Sequence, residues 1–218
     1  MKDRTVGRAA FLGILGAGAA GLFLARDVTG LLGRAVPVSS IVPDAGWRIY
    51  TIGSSMPNIA PAAYRLRVDG LVAAPKTFTL ADLKQMPRAD QVSDFHCVTG
   101  WVVKNVRWGG VRIADVLDAA GAKDGITSLR FVSAEVPYDD SLTLRQALLP
   151  DVMLAYEMDG KPLSRPHGGP VRLVMPEMYG YKSVKWLNRI ELGTSMQLGY
   201  WEQNGYDVDA WLGRSNGY

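Results

Sequence analysis

Two stretches of the chain hold side chains able to do chemistry. The first is Phe95-His96-Cys97-Val98-Thr99-Gly100-Trp101, around the single cysteine of 218 residues. A thiolate is both a nucleophile and a soft ligand for transition metals. One cysteine rules out an intrachain disulfide. The chain has no CxxC and only two histidines, His96 and His167, so a zinc site of ordinary composition finds no ligand set. If Cys97 binds a metal, most of the coordination must come from something the protein does not supply, which points to a metal already held by an organic ligand. Two other readings stand beside this one. A lone cysteine also serves as a small buried hydrophobe, and a cysteine-protease nucleophile would take His96 or His167 as its base. Successive side chains alternate in an extended chain, so the adjacent His96 does not readily face Cys97.

The second stretch is basic. Between Lys161 and Arg189 lie Lys161, Arg165, Arg172, Lys182, Lys185 and Arg189, opposed by Glu177 alone and then, beyond the run, by Glu191. His167 falls in the same run, and Gly168-Gly169-Pro170 lets the backbone approach a ligand closely. Arg gives a forked contact to phosphate and Lys a point charge. A solvated basic face is the plain alternative. The interleaving of these charges with Leu173, Tyr181 and Trp186 fits a site better than a tail.

These residues need elements to position them. Tyr64–Gly70 alternates apolar and polar residues, as a half-buried strand ending in a turn does. Thr79 is placed to cap a short helix from Leu80, with Asp82 at the third position. Ile113, Val116, Leu117 and Ala120 recur at helical spacing, and Gly121 suits a left-handed C-terminal cap. Strands are expected at Leu129–Ser133, Val152–Met158, Val171–Met175 and Val184–Leu192, with Asp159-Gly160 as a hairpin turn. Arg172 and Lys185 would then sit near the starts of two adjacent strands and converge on one anion. Short strands mix with short helices, without regular βαβ alternation, so the fold class is α+β. The body is expected to run over 41–218, folding from near Val42.

Residues 1–40 form a separate N-terminal segment. Ala9 to Ala25 is an uncharged apolar run between Arg8 and Arg26, at the lower limit of length for crossing a bilayer. It fits an export signal or an uncleaved membrane anchor followed by a linker. Arg8-Ala9-Ala10-Phe11-Leu12 is similar to a twin-arginine signal in which Ala9 replaces the second arginine. An exported protein, periplasmic or on the outer face of the cytoplasmic membrane, is therefore expected, with possible membrane association through residues 9–25. The formal charge is +3, and this segment carries the excess: Lys2, Arg4, Arg8, Arg26 and Arg34 against Asp3 and Asp27. The rest is balanced in charge and lacks the broad basic face that nucleic-acid binding needs.

With these motifs in place, the chain resembles the sulfite-oxidase-like molybdopterin family over about residues 45 to 212. Cys97-Val98-Thr99-Gly100-Trp101 is similar to the family's metal-ligand loop. His167-Gly168-Gly169-Pro170-Val171-Arg172-Leu173 resembles its His-Gly-x-Pro-x-Arg block, and Lys182-Ser183-Val184-Lys185-Trp186-Leu187 its Ser-x-Lys-Trp block. The resemblance implies a sulfite-oxidase-like fold of mixed sheets with short helices, and a molybdenum–molybdopterin cofactor. Cys97 would ligate the metal, the pterin dithiolene and oxo groups completing the shell. His167, Arg172, Ser183, Val184 and Lys185 would hold the pterin and its phosphate. Gly53, Ser54 and Ser133 would touch the pterin, and Tyr206 would face the substrate. The stretch Tyr50–Ser55 carries neither Arg nor His where sulfite oxidases have an Arg-Asn-His run, which puts sulfite itself in doubt. The resemblance implies two-electron oxygen-atom transfer on a small substrate, by S- or N-oxide reduction or oxyanion oxidation. Without a haem-attachment CxxCH, electrons would pass to a separate protein, a cytochrome or a membrane quinol-linked subunit. A non-catalytic exported module of the same fold, binding a pterin or another anion, is the rival reading.

Overall fold

The computed structural model describes residues 42–44 and 46–214. The expectations for residues 1–40 lie outside the described residues. Within them, no helix is long and apolar enough to cross a membrane. The described chain opens with a hairpin of β1 (Val42–Asp44) and β2 (Trp47–Ile49). It then builds two five-stranded sheets.

The first sheet runs β4 (Lys76–Thr79), β3 (Arg65–Gly70), β12 (Leu187–Gly193), β7 (Ser128–Ser133) and β8 (Asp139–Thr143). Its neighbours pair antiparallel except β3 and β12, which are parallel. The second runs β10 (Lys161–Pro162), β9 (Met153–Met158), β6 (Val102–Arg112) and β5 (Arg88–His96), with β11 (Arg172–Val174) also on β9. Four short helices join them: α1 (Leu80–Gln85), α2 (Ile113–Ala120), α3 (Leu144–Ala147) and α4 (Tyr200–Gln203). The α+β expectation holds.

Local chemistry explains the elements the sequence announced. Thr79 Oγ1 accepts from Asp82 N, and Asp82 returns a bond to Thr79 N, a complete capping box on α1. Helix α2 buries Ile113, Val116, Leu117 and Ala120, and Gly121 closes it at φ 68°. One large core, from Tyr64 through Leu192 to Ala210, lies among both sheets and α2. A smaller one gathers Trp47, Ile49, Val106, Trp108 and Val174, and so anchors the N-terminal hairpin to the second sheet.

One expectation needs correction. The last strand begins at Leu187, not Val184, and it belongs to a different sheet from β11. Lys185 therefore stands in a turn, followed by Trp186 at φ 47°. This turn is tied to β11 all the same. Leu173 N donates to Val184 O at 2.8 Å, and Leu187 N to Val171 O at 3.0 Å. Arg172 and Lys185 are neighbours across a seam between sheets.

Candidate active site

That seam is a cleft. It encloses about 1010 Å³ of empty space, open solvent at its mouth included. Its walls come from β2 and the segment after it, the loop from β5 to β6, the turns at 166–167 and 180–185, and the chain from α4 to Tyr206.

The Cys97 loop is a tight connection between β5 and β6. Cys97 N donates to Trp101 O and Gly100 N to Cys97 O, each at 2.9 Å, and Gly100 takes φ 95°. The thiol thus faces the cleft, half-buried. Thr99 Oγ1 lies 3.1 Å from its sulfur. Burial pushes the Cys97 thiol up, while the Thr99 hydroxyl and N–H, the Arg48 charge and the Trp101 indole all favour its anion. Among the described residues, no three His, Cys, Asp or Glu side chains gather as a metal group. A metal at Cys97 needs ligands from outside the chain.

Arg172 is buried, 2 % exposed, yet its guanidinium meets no carboxylate among the described residues. It donates to the carbonyls of Leu173 (3.3 Å), His167 (3.1 Å) and Ser183 (3.1 Å). The rings of Phe95 and Trp108 lie 5.4 Å and 5.3 Å from it. These dipoles orient the positive charge without cancelling it, and burial lowers its pKa to about 10. Lys185 stands beside it. Its Nζ donates to Tyr50 O at 2.5 Å, and burial pulls its pKa down to about 7, aided by Arg172 and opposed by Glu135. Two desolvated cations side by side are costly unless an anion joins them.

The expected site residues divide on this geometry. Cys97, His167, Arg172, Ser183, Lys185 and Tyr206 line the one cleft. Gly53, Ser54, Ser133 and Val184 do not line it. Gly53 N donates to Glu135 Oε1 at 3.2 Å, and Ser54 is exposed. Ser133 is committed elsewhere, donating to Lys185 O at 2.7 Å and accepting from Glu135 N at 2.9 Å. Val184 is wholly buried in the large core. Gly168, at φ 93°, packs against the chain itself rather than a ligand, since a Cβ there would meet Lys185 Cβ at 2.7 Å. It fits the backbone closely behind the lysine.

The basic run also divides. Arg165 donates to Met56 O and Pro57 O, Arg189 to Asp69 at 2.9 Å, and Lys161 is exposed. Lys182 is held between Asp140 (2.5 Å) and Glu202 (2.7 Å), all three nearly inaccessible to solvent. Only Arg172 and Lys185 of the six bring charge to the cleft.

Sequence reasoning missed several wall residues. Arg48, on β2, supplies an exposed cation. Glu135 is the one carboxyl among the described lining residues, and its Oε1 accepts from Thr51 Oγ1 and from Ile52 N at 2.9 Å. Burial raises its pKa, against the backbone donors and Lys185. Trp47 packs edge-on to His167 at 4.9 Å, and Tyr138 donates to Tyr181 O at 2.6 Å. Tyr206 packs against Tyr181 (5.4 Å) and Trp201 (5.1 Å). The adjacent pair Tyr200-Trp201 is a local signal in the sequence, whereas the aromatic partners of Trp47, among them Phe95 and Trp108, lie far along the chain.

Comparison with known proteins meets this geometry. The family described as "Oxidoreductase molybdopterin binding domain" matches residues 53–201. An uncharacterized oxidoreductase, YuiH of Bacillus subtilis, is 38% identical over 150 residues, covering 68% of this chain and 75% of that protein. The putative protein-methionine-sulfoxide reductase subunit YedZ1 of Azospira oryzae is 32% identical, with 82% and 66% covered. Sulfite oxidase of Gallus gallus is 34% identical, but this chain spans only 39% of it. Among solved structures, the sulfane dehydrogenase SoxCD of Paracoccus pantotrophus aligns with TM-score 0.65 and 25% identity, over 82% of this chain and 53% of that one.

Proposed function

The chain belongs to the oxidoreductase molybdopterin-binding family, and from that premise we propose that its cleft holds molybdenum–molybdopterin with Cys97 as the metal's protein ligand. The residues present fit that group. A half-buried thiol, pushed up by burial but met by the Thr99 hydroxyl and the Arg48 charge, which favour its anion, suits a soft metal that takes it as thiolate. Arg172, a buried cation without a carboxylate, suits the pterin phosphate and is the observation that carries the proposal. Lys185 and His167 would join it, with the Ser183 carbonyl orienting the guanidinium.

When bound, the cofactor supplies two-electron redox chemistry and exchange of an oxygen atom with a small substrate. The chain's residues bind, orient and exclude water. Trp47, Phe95 and Trp101 wall the metal end with apolar surface. Tyr206 faces the substrate and can exchange a proton at its phenol oxygen. Glu135, kept protonated more readily than an ordinary carboxyl, stands ready to do the same.

Arg48 bears on the substrate. The stretch 50–55 lacks a cation, but Arg48 lines the same cleft and its charge reaches Cys97. This favours oxidation of a small oxyanion over reduction of a neutral S- or N-oxide. Electrons would leave to a separate cytochrome or quinol-linked subunit. Export, suggested by the run 9–25, would place both outside the cytoplasm. The test is steady-state kinetics of wild type and Arg48→Gln on sulfite-class oxyanions and on a neutral sulfoxide. We expect KM for the oxyanion to rise about tenfold, near 1.4 kcal/mol, with kcat changed far less. A sulfoxide turned over better than any oxyanion, and equally well by Arg48→Gln, would contradict this substrate choice.

A further inference from the structure

The surroundings of the Cys97 sulfur contain more hydrogen-bond donors than a neutral thiol can use. An S–H is a weak donor and its sulfur a weak acceptor. Yet the Thr99 hydroxyl approaches the sulfur to 3.1 Å. A second donor is the Trp101 indole. Its Nε1 is buried and closes no hydrogen bond in the structure, and Trp101 lines the same cleft as Cys97 and Thr99. A buried, unpaired N–H is desolvated without compensation, so its position calls for a reason.

The loop explains how Trp101 is held there. The Cys97 N to Trp101 O bond at 2.9 Å closes the loop on itself, and Gly100 at φ 95° turns the chain so that Cys97 and Trp101 flank its neck. The indole is fixed from its other side as well. Phe95 stacks on it at 5.8 Å, and Trp47 meets it edge-on at 6.0 Å. Packing on both sides leaves the ring little freedom to turn its N–H elsewhere.

We propose that Trp101 Nε1–H and Thr99 Oγ1–H are reserved donors to the Cys97 thiolate and set the reduction potential of the metal it holds. The inference rests on the reading that Cys97 is the metal's ligand. Donors to a ligating sulfur draw electron density from it and favour the reduced metal, so the pair raises the potential. Trp101 acts through Cys97 and is a positioning residue. A purely structural tryptophan would not move the potential.

The experiment is an EPR-monitored redox titration of the loaded enzyme, with molybdenum and pterin content measured in each sample. The samples are wild type, Thr99→Val, Trp101→Phe, and the protein with benzothienylalanine placed at 101 alone. That analogue keeps the indole's shape and loses its N–H, so it still tests the proposal if Trp101→Phe fails to fold. Each variant is expected to retain the metal while its Mo(VI)/Mo(V) equilibrium shifts about tenfold toward Mo(VI). That is a fall of about 59 mV for a one-electron couple, with an altered Mo(V) spectrum. Full metal with an unchanged potential in the analogue and in Thr99→Val would overturn the inference and leave the Cys97 ligand standing. No metal in the wild type would overturn both.

Discussion

Arg172→Met is expected to yield a folded protein that no longer retains its pterin cofactor. Truncating one partner of a buried charge pair costs about 2–5 kcal/mol, which is roughly 30- to 4000-fold in affinity. The side chain is fully built into the cleft wall by three carbonyls and has no carboxylate among the described residues to neutralise it. Its charge is thus directed to a ligand rather than to the fold. Two terms oppose each other in the cofactor-free protein. Methionine removes a desolvated charge, which stabilises, but it strands the His167 and Ser183 carbonyls, which destabilises. The melting temperature of the cofactor-free variant should therefore move little, while cofactor content after gel filtration falls to near zero. A variant that keeps full pterin content would show that the phosphate lies elsewhere.

Lys182→Met is expected to have the opposite character, a large loss of stability. Lys182, Asp140 and Glu202 are each within 1–2 % of full side-chain burial. One lysine faces two carboxylates, and the geometry is neutral only if a carboxyl keeps its proton. Burial pushes the Asp140 carboxyl well up, and the neighbouring Glu202 adds to this despite the pull of Lys182. Asp140 Oδ2 and Glu202 Oε2 are buried and close no hydrogen bond among the described residues, so a proton kept on Asp140 finds its acceptor in the neighbouring Glu202 carboxylate. Burial opposes the charge on Lys182, but Asp140 and Glu202 outweigh it and hold its pKa up. Removing the ammonium leaves a carboxylate unpaired in the interior, at about 3–5 kcal/mol. For a chain of this size that is roughly 6–20 °C in melting temperature. The sign with pH follows. Acid removes the remaining negative charge of the stranded pair, whose Asp140 member burial already pushes up, so the deficit should shrink from pH 8 to pH 5. Adding Glu202→Gln to Lys182→Met should restore part of it. A melting temperature within about 2 °C of wild type at pH 8 would mean that the three groups are not ionised as a unit. Because Glu202 lies on α4, the triad also fixes the element that carries Trp201 toward the cleft.

What could be read from the sequence was what depends on near neighbours. The capping box of Thr79 and Asp82, the left-handed Gly121 and the Asp159-Gly160 turn are written within four residues. Cys97, His167, Arg172, Ser183 and Lys185 were found because their blocks resemble a family, and the fold brings them to one cleft. What could not be read depends on distant partners. Lys182 and Arg189 counted as anion-binding charges until the fold supplied Asp140, Glu202 and Asp69. Glu135 has no local signal, since its donors lie more than eighty residues earlier. Strand β5 was missed because Arg88–His96 is largely half-exposed and has no sustained apolar alternation. Strand β8 was missed because it buries Asp139, Asp140 and Ser141, residues that composition assigns to loops. Arg48 escaped because cleft membership comes from the hairpin docking through Trp47, not from the stretch that follows it.

The measurement that tests the central claim most directly is molybdenum and pterin content of protein made in a molybdenum-competent host, beside Cys97→Ser. About one molybdenum and one pterin per chain is predicted for the wild type. Cys97→Ser is predicted to keep its pterin, because Arg172 and Lys185 are untouched, and to lose activity by about a thousandfold with an altered metal spectrum. Well-folded wild type with neither metal nor pterin would contradict the account, and the charge of Arg172 would then belong to another anion.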